Sequence, residues 1–396
     1  MSEKTLTQEQ AEFQTFCQAW LQENKPEPHP VPLPQAAYEV TNPSHLTYLS
    51  EWQAKCYEAG LIASDLPKNY GGHGMTGCQQ IASNEVRKAG VPYFINWIGL
   101  GMAVPTLLEC GTEAQRETFL PPIFSAEHIW CQGFSEPGAG SDAAALRTSA
   151  VSDGDYYVIN GSKAFISGAG DTDVLVLMLR TGDSGPKGVT AMLVPADIDG
   201  ISYGKNEHKM GWNAQPTRAI TFDDVRVPKK YRLGEEGQGF SIAMDGLDGG
   251  RINIATCSVG TAQKALEDAT AYVQDRKQFG QAIADFQATQ FALSDMLTEL
   301  VAARQMVRLA ASKLDSGDGQ AGTYCAMAKR FATDAGFKVC NDALQLLGGY
   351  GYLKEYPMER YVRDTRVHQI LEGTNQIMRV IISRRMLMAG ALEVIQ

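Results

Sequence analysis

Apolar residues recur at helical spacing through the first third of this chain, give way to short alternating runs in the middle, and return to helical spacing towards the end. In QEQAEFQTFCQAWLQEN, which follows Thr7, the positions Phe13, Phe16, Trp20 and Leu21 recur at the 3.6-residue period of an amphipathic helix. A proline-rich connector over 25–35 (KPEPHPVPLPQ) excludes regular helix and central strand. Helical patterning resumes over 46–59, 79–89, 97–110 and 114–124, interrupted by a glycine-rich loop over 69–74 (NYGGHG). Residues 1–128 therefore read as an all-α domain.

Between 129 and 236 the runs TDVLVLMLRT, GVTAMLVP and RAITFDDVRVP are short, apolar or alternating, with Gly, Pro, Asp and Asn between them. That pattern predicts an antiparallel β-barrel or sandwich. No strand leads into G-x-G-x-x-G and then a helix, so a Rossmann dinucleotide site is not indicated. From 237 to 396 long helical periods return over 239–274, 283–314 and 323–346, with a last helix opening at Thr374. The short link DSGDG at 315–319 favours antiparallel neighbours, hence a four-helix bundle. The expected fold is a multi-domain α+β protein divided at 1–128, 129–236 and 237–396.

Composition narrows the function classes. The 396 residues carry 35 Lys and Arg against 45 Asp and Glu, a net charge of −10. A nucleic-acid binder would show a basic face, and an anionic membrane surface would repel this balance. The eight cysteines are scattered with no CxxC pair, which suggests neither a zinc site nor a redox dithiol and suits a reducing compartment. The opening MSEKTLTQEQAEF has neither an apolar signal core nor an arginine-rich presequence, and no apolar run reaches the length of a membrane span. A cytoplasmic protein is expected, with a mature mitochondrial-matrix form as the alternative.

Candidate chemistry concentrates in RDTRVHQILEGTNQIMR (363–379), where a lone carboxylate, Glu372, sits between Ile370-Leu371 and Gly373. Thr374 is a good helix N-cap, which places Glu372 on the tight loop before that helix. Apolar surroundings raise a carboxyl pKa towards the range of a general base, although a capping glutamate has the same spacing. Four other stretches admit two readings each. CQGFSEPGAGSD (131–142) is a surface turn or a ligand-approach loop, and KAFISG (163–168) carries an aromatic on a β edge. GLDGGRI (246–252) puts two glycines in a helix at roughly 1 kcal/mol each, for close helix packing or for a ligand. DRKQFG (275–280) is a solvated helix end or an anion site.

These motifs resemble the acyl-CoA dehydrogenase family: ILEGTNQIMR is similar to its catalytic segment, and Glu372 falls on its base. Relatives that carry the base on the bundle's first helix have a glutamate where this chain has Gly250, which leaves Glu372. The resemblance implies FAD as cofactor, with Gln132, Gly133, Phe134, Ser135, Gly140 and Ser141 in the flavin segment and Phe165, Ile166 and Ser167 against the ring. It also implies flavin contacts at Arg276, Phe279, Phe286 and Gln287, at Gln345, Leu346, Gly348 and Gly349, and at Thr374, Asn375 and Gln376. Acyl-CoA contacts would come from Ser141, Asp248, Gly249, Gly250, Arg251, Gly373 and Arg384. Because the matching arginine of the family binds flavin of a neighbouring subunit, a homotetramer built as a dimer of dimers is implied.

The activity implied is α,β-dehydrogenation of an acyl-CoA thioester to the trans-2-enoyl-CoA, with electrons passed to an electron-transferring flavoprotein. Alternatives are an acyl-CoA oxidase, a dehydrogenase of longer or bulkier acyl-CoA, and a non-catalytic flavoprotein, which an intact Glu372 disfavours. From about 153 onward the chain is most similar to the branch of the family acting on isobutyryl-CoA, through NGSKAFISGAG, KMGWNAQPTRAITF, GLDGGRINIATCSVG and GGYGYLKEY. Before about 150 it is more similar to the larger bacterial members, as a chimeric chain would be. A short-branched acyl-CoA is the expected substrate. No metal, nucleic acid or membrane partner is expected.

Overall fold

The computed structural model describes residues 6–33, 42–213 and 216–389, so the last two connector residues, Pro34 and Gln35, lie outside the described chain. Two compact units form: Met1–Glu207 with Asn213–Ala243, and His208–Trp212 with Met244–Gln396.

The first unit opens with α1 (Gln8–Asn24), started by a reciprocal cap in which the Thr7 Oγ1 accepts from the Gln10 N–H and the Gln10 side chain accepts from the Thr7 N–H. α1 buries Phe13, Cys17 and Leu21, while Phe16 stays exposed and Trp20 stacks on Trp52 at 5.9 Å between ring centroids. The helices α2 (Pro43–Glu58), α3 (Gln79–Ala89), α4 (Val104–Cys110) and α5 (Glu113–Phe124) follow, α4 being preceded by a π-helical turn at Gly99–Ala103. Asn96 is buried and laces the end of α5 to the first strand: its Nδ2 donates to the carbonyls of Ile123 and His128, and its Oδ1 accepts from the Trp130 N–H. A Cβ at Gly99 would fall 2.5 Å from that Oδ1, so the knot requires glycine there.

Eight strands complete this unit: β1 (Trp130–Gly133), β2 (Ser149–Asp153), β3 (Tyr156–Ser167), β4 (Val174–Arg180), β5 (Val189–Pro195), β6 (Ile201–Tyr203), β7 (Thr217–Pro228) and β8 (Arg232–Leu233). They form one sheet in the order β6-β7-β3-β2-β4-β5-β8, with β1 added on β4. The sheet is antiparallel, as its short alternating runs predict, apart from parallel pairing of β1 and, at one position, β2 with β4. β4 and β5 are buried on both faces and read as continuous apolar runs, whereas β7 alternates. Two bulges interrupt β3 where it pairs with β7, and the second, between Lys163 and Ile166, contains Phe165. Under that bulge the fully buried Lys163 Nζ meets the Glu136 carboxylate at 2.9 Å and donates to the carbonyls of Met178 and Phe134. Glu136 in turn accepts from the N–H groups of Arg147 and Thr148, so one buried ion pair joins four segments: the 134–136 turn, residues 147–148, β3 and β4.

The second unit contains α6 (Gly239–Asp275) from Met244 onward, a hairpin of β9 (Lys277–Gln278) and β10 (Gln281–Ala282), α7 (Gln287–Asp315), α8 (Ala321–Leu347), α9 (Met358–His368) and α10 (Asn375–Ala389). α8 is the central helix. Its small side chains (Ala328, Ala332, Ala335, Ala343) pack with Ala255, Ala262 and Ala269 of α6 and with Met296, Leu300 and Ala303 of α7. The four long helices of the expected bundle are present. α9 is an additional helix that apolar periodicity does not signal, because two of its three buried residues, Thr365 and His368, are polar. Among the described residues no helix is long and apolar enough to cross a membrane.

Removing one partner of a buried ion pair strands the other charge. Lys163→Met is expected to lower stability by about 3–5 kcal/mol in urea unfolding, and the double variant with Glu136→Gln to recover part of that loss.

Candidate active site

The loop from Gln369 to Thr374 joins α9 to α10 and presents Glu372. Its backbone closes on itself: the N–H groups of Ile370 and Leu371 donate to the Val367 carbonyl, and the Asn375 N–H donates to the Gln369 carbonyl at 3.0 Å. Thr374 caps α10 as expected, its Oγ1 accepting from the Ile377 N–H. Glu372 and Gly373 take consecutive left-handed conformations, with φ of 54° and 87°. Such a conformation is uncommon for a glutamate and marks a residue the surroundings hold in place.

What holds it comes mainly from α8. Lys329 is fully buried, and its Nζ donates to the Gly373 carbonyl at 2.8 Å and to the Asn375 Oδ1 at 3.0 Å. The Asn375 Nδ2 donates to Thr333 Oγ1 and Asp334 Oδ1, and Gln369 Nε2 donates to the same Asp334 oxygen. His368, buried at the end of α9, is hydrogen-bonded through Nδ1 to Ser258 Oγ at 2.7 Å and meets the Trp212 ring edge-on. Burial depresses its pKa to about 4, so the imidazole is neutral at physiological pH.

The Glu372 Oε2 is buried without a hydrogen-bond partner. Desolvation raises the carboxyl pKa to about 7, against the opposing charges of Arg251 and Lys329. Lys329 is itself lowered to about 8 by burial. Arg251, buried on α6, pairs through Nη1 with Asp248, whose own carboxyl is pushed up by burial. The Glu372 N–H also has no partner among the described residues. A carboxylate that titrates near neutrality beside an unengaged N–H can take a proton from a carbon acid while that N–H receives developing negative charge.

The other expected positions sort by environment. On α6 a Cβ at Gly249 would meet nothing within 4 Å, so packing does not explain that glycine, and Gly250 is buried. The side chain of Asn375, a position expected among the flavin contacts, donates to Thr333 and Asp334 and braces the loop. Thr374 caps the helix, and Gln376 and Arg384 are exposed. DRKQFG is not a plain helix end: it folds as the β9–β10 hairpin, with Phe279 and Gly280 both at positive φ as a tight hairpin turn requires. Phe279 is 95% exposed and edge-on to Phe286, while the Arg276 guanidinium lies 5.6 Å from the Tyr350 ring centroid. Gln287, Gln345, Gly348 and Gly349 are exposed, and Leu346 packs on the bundle core.

In the first unit, Ser135 is half-buried, its carbonyl accepting from the Ala164 N–H at 2.9 Å, so the flavin-like segment and the bulge are tied together. Gln132 and Phe134 are half-buried beside it. Phe165 is 72% exposed at a φ of 59°, Ser167 is half-buried, and the Ile166 side chain turns into the sheet core. Gly133 is a packing glycine, since a Cβ there would lie 2.3 Å from Leu177 Cδ2. Gly140 has open space around it and lies with Ser141 in an exposed turn beside a cleft of about 530 Å³ bordered by Asp142, Arg147 and Arg180.

Residues 7–127, 131–225 and 237–387 match the acyl-CoA dehydrogenase N-terminal, middle and C-terminal domains respectively. The chain belongs to the acyl-CoA dehydrogenase family. It is 57% identical over 277 residues to the mitochondrial isobutyryl-CoA dehydrogenase of Dictyostelium discoideum, covering 70% of this chain and 67% of the relative. It is 43% identical over 336 residues to a subunit of the caffeyl-CoA reductase–Etf complex of Acetobacterium woodii, covering 84% and 88%. Butyryl-CoA dehydrogenase from Megasphaera elsdenii superposes with a TM-score of 0.81 at 33% identity, over 97% of this chain and all of that one.

As a member of this acyl-CoA dehydrogenase family, the chain is an oxidoreductase acting on CH–CH donors, and FAD is its cofactor. Each unit by itself carries residues that fit such a group: in the first an exposed aromatic held at a bulge and a glycine turn open to close approach, in the second an exposed arginine suited to a pyrophosphate.

Lys329, Asn375 in its bracing role, and His368 were not legible as site residues. The one available signal was a charge at Lys329 on a helical face otherwise made of Cys325, Ala328, Ala332 and Thr333.

The site has a stability consequence. Burial raises the folded-state pKa of Glu372 above its ordinary 4.5, so its contribution to stability is fullest below that value and is lost as pH climbs through about 7. The loss is on the order of 3 kcal/mol. Glu372→Gln, which never ionises, is therefore expected to come nearest the wild-type Tm below about pH 4.5, to gain on it as pH rises from there to about 7, and to keep a constant advantage above that.

Proposed function

We propose that this chain dehydrogenates a short, branched acyl-CoA of the isobutyryl-CoA type to the corresponding 2-enoyl-CoA, with Glu372 as the base that removes the α-proton. The observation that carries this reading is the buried, unpartnered Oε2 of Glu372 on a left-handed turn, with a pKa raised to about 7. In this reading Oε2 receives the α-proton, and the Glu372 N–H donates to the thioester oxygen as negative charge builds on it. Arg251 and Lys329 keep the carboxylate ionisable despite its burial. Bound FAD supplies the acceptor for the β-hydride.

FAD would be held by Gln132, Phe134, Ser135, Gly140, Ser141, Phe165 and the backbone at Ile166 and Ser167, and by Arg276, Phe279, Phe286, Gln287, Gln345, Gly348 and Gly349. The acyl-CoA would meet Ser141, Asp248, Gly249, Gly250, Gly373 and Arg384. Arg276 and Phe279 are exposed at a hairpin, which supports their serving a cofactor of another subunit and with it a homotetramer. The three domains are taken as 1–128, 129–236 and 237–396. The kinship with a subunit of an Etf complex supports an electron-transferring flavoprotein as acceptor, and that with an isobutyryl-CoA dehydrogenase supports the branched substrate.

Glu372→Gln is expected to retain FAD and ligand binding and to lose turnover by on the order of 10²–10⁴-fold. Wild-type kcat should fall as pH drops below about 7, because the carboxylate then holds its proton. A turnover panel of isobutyryl-, 2-methylbutyryl-, butyryl- and octanoyl-CoA tests the substrate: kcat/KM is expected to be highest for isobutyryl-CoA, and a maximum at octanoyl-CoA would contradict it.

A further inference from the structure

Lys329 is a lysine whose ammonium lies wholly inside the bundle, reaching two of the three residues that follow Glu372: Gly373 through its carbonyl and Asn375 through its side-chain oxygen. Burying a charged group is costly unless it is paired and hydrogen-bonded, so a lysine kept here needs a reason beyond packing. The loop supplies one. Two successive left-handed residues, one of them a glutamate, cost on the order of 1–3 kcal/mol for the strained non-glycine position and persist only where neighbours over-determine them. Lys329, Thr333 and Asp334 lie on one flank of α8 and grip the loop through Gly373, Asn375 and Gln369.

We propose that Lys329 is a positioning residue for the reaction: it pins the Gly373 carbonyl and Asn375 so that the turn aims the Glu372 carboxylate, and its cation is, beside Arg251, one of the two fixed charges against which that carboxylate ionises. The proposal rests on Glu372 being the base. Within this unit the charged and titratable groups around the loop are Arg251 and Asp248 from α6, Lys329, Arg330 and Asp334 from α8, Arg366 and His368 from α9, Arg366 donating to the Gln369 side chain at 3.2 Å, and Arg379 from α10. His368 is neutral above about pH 4, Arg251 is partly answered by Asp248, and Arg330 and Arg379 both pair with Asp334. Lys329 is therefore the cation that couples most directly to the backbone of the turn.

The test is the pH dependence of kcat in the FAD-loaded enzyme, with whichever acyl-CoA of the panel turns over fastest. Lys329→Gln keeps a donor for the Gly373 carbonyl and removes the charge. Its acid limb is expected to move upward by about one pH unit, with kcat reduced and KM changed little. A fall in kcat with an unmoved limb would reduce Lys329 to a structural brace and overturn the proposal, as would an unchanged profile. Where Lys329→Gln does not retain FAD, an infrared titration of the Glu372 carboxyl in wild type and variant, both without FAD, decides: the band is expected to titrate about one pH unit higher in the variant, and an unmoved band would overturn the proposal. Glu372→Gln measured alongside separates the two readings. Turnover close to wild type in that variant contradicts the base itself, whereas a strongly impaired Glu372→Gln with an unshifted Lys329→Gln contradicts the role of Lys329 alone.

Discussion

A carboxyl group removed from water, with one oxygen left without a partner, is an expensive thing to keep in a folded protein, and the helical unit is arranged around keeping it. Neutralisation relieves the strain, which is why Glu372 is pushed to about 7. Full neutralisation is prevented by two buried cations, Arg251 and Lys329, each itself costly to bury and each held by its own partners. The carboxylate thereby sits near the midpoint of its titration at physiological pH. A base that is free to accept a proton and not far too weak to hold one needs that balance.

Secondary structure and side-chain chemistry meet at this point. α8 can bring Lys329, Thr333 and Asp334 to the loop because its other face is built of alanines that let α6 and α7 approach closely. The loop can display Glu372 because its main chain is satisfied locally by Val367 and Gln369 and braced by Asn375. In the sheet unit the Lys163–Glu136 pair has a comparable part, fixing the segment at Ser135 and the bulge at Phe165 relative to one another. Phe165, Phe279 and Glu372 share a feature: each is a non-glycine residue at positive φ in a segment expected to meet a ligand. Other non-glycine residues at positive φ, among them the buried Ala63 and Ala126, lie outside these segments.

Much of this was legible in the sequence. Thr7 and Thr374 announced their helix starts, the alternating runs gave the sheet, and the long periods of 239–274, 283–314 and 323–346 fell within a few residues of α6, α7 and α8. The short motif around Glu372 pointed to the acyl-CoA dehydrogenase family, which matches to three successive parts of the chain confirm. What escaped did so for physical reasons. α9 buries polar residues, so it lacks a hydrophobic period. The β9–β10 hairpin is only two residues per strand and turns at a phenylalanine, not at the Asn-Gly that marks such turns. The role of Lys329 depends on contacts 44 and 46 residues away along the chain, which local pattern does not carry. The apolar pair before Glu372 was a reason to expect a raised pKa, yet Ile370 is half exposed, and the raised value follows from burial of the carboxyl group itself.

The central claim is that Glu372 is protonated below neutrality and ionises within the working pH range. An infrared difference titration from pH 5 to 9, comparing the FAD-loaded enzyme with Glu372→Gln, measures this directly. The account predicts a protonated-carboxyl band that disappears as pH rises through about 7 and is missing from the variant. Identical wild-type and variant spectra, with no carboxyl titrating between pH 5 and 9, would contradict it.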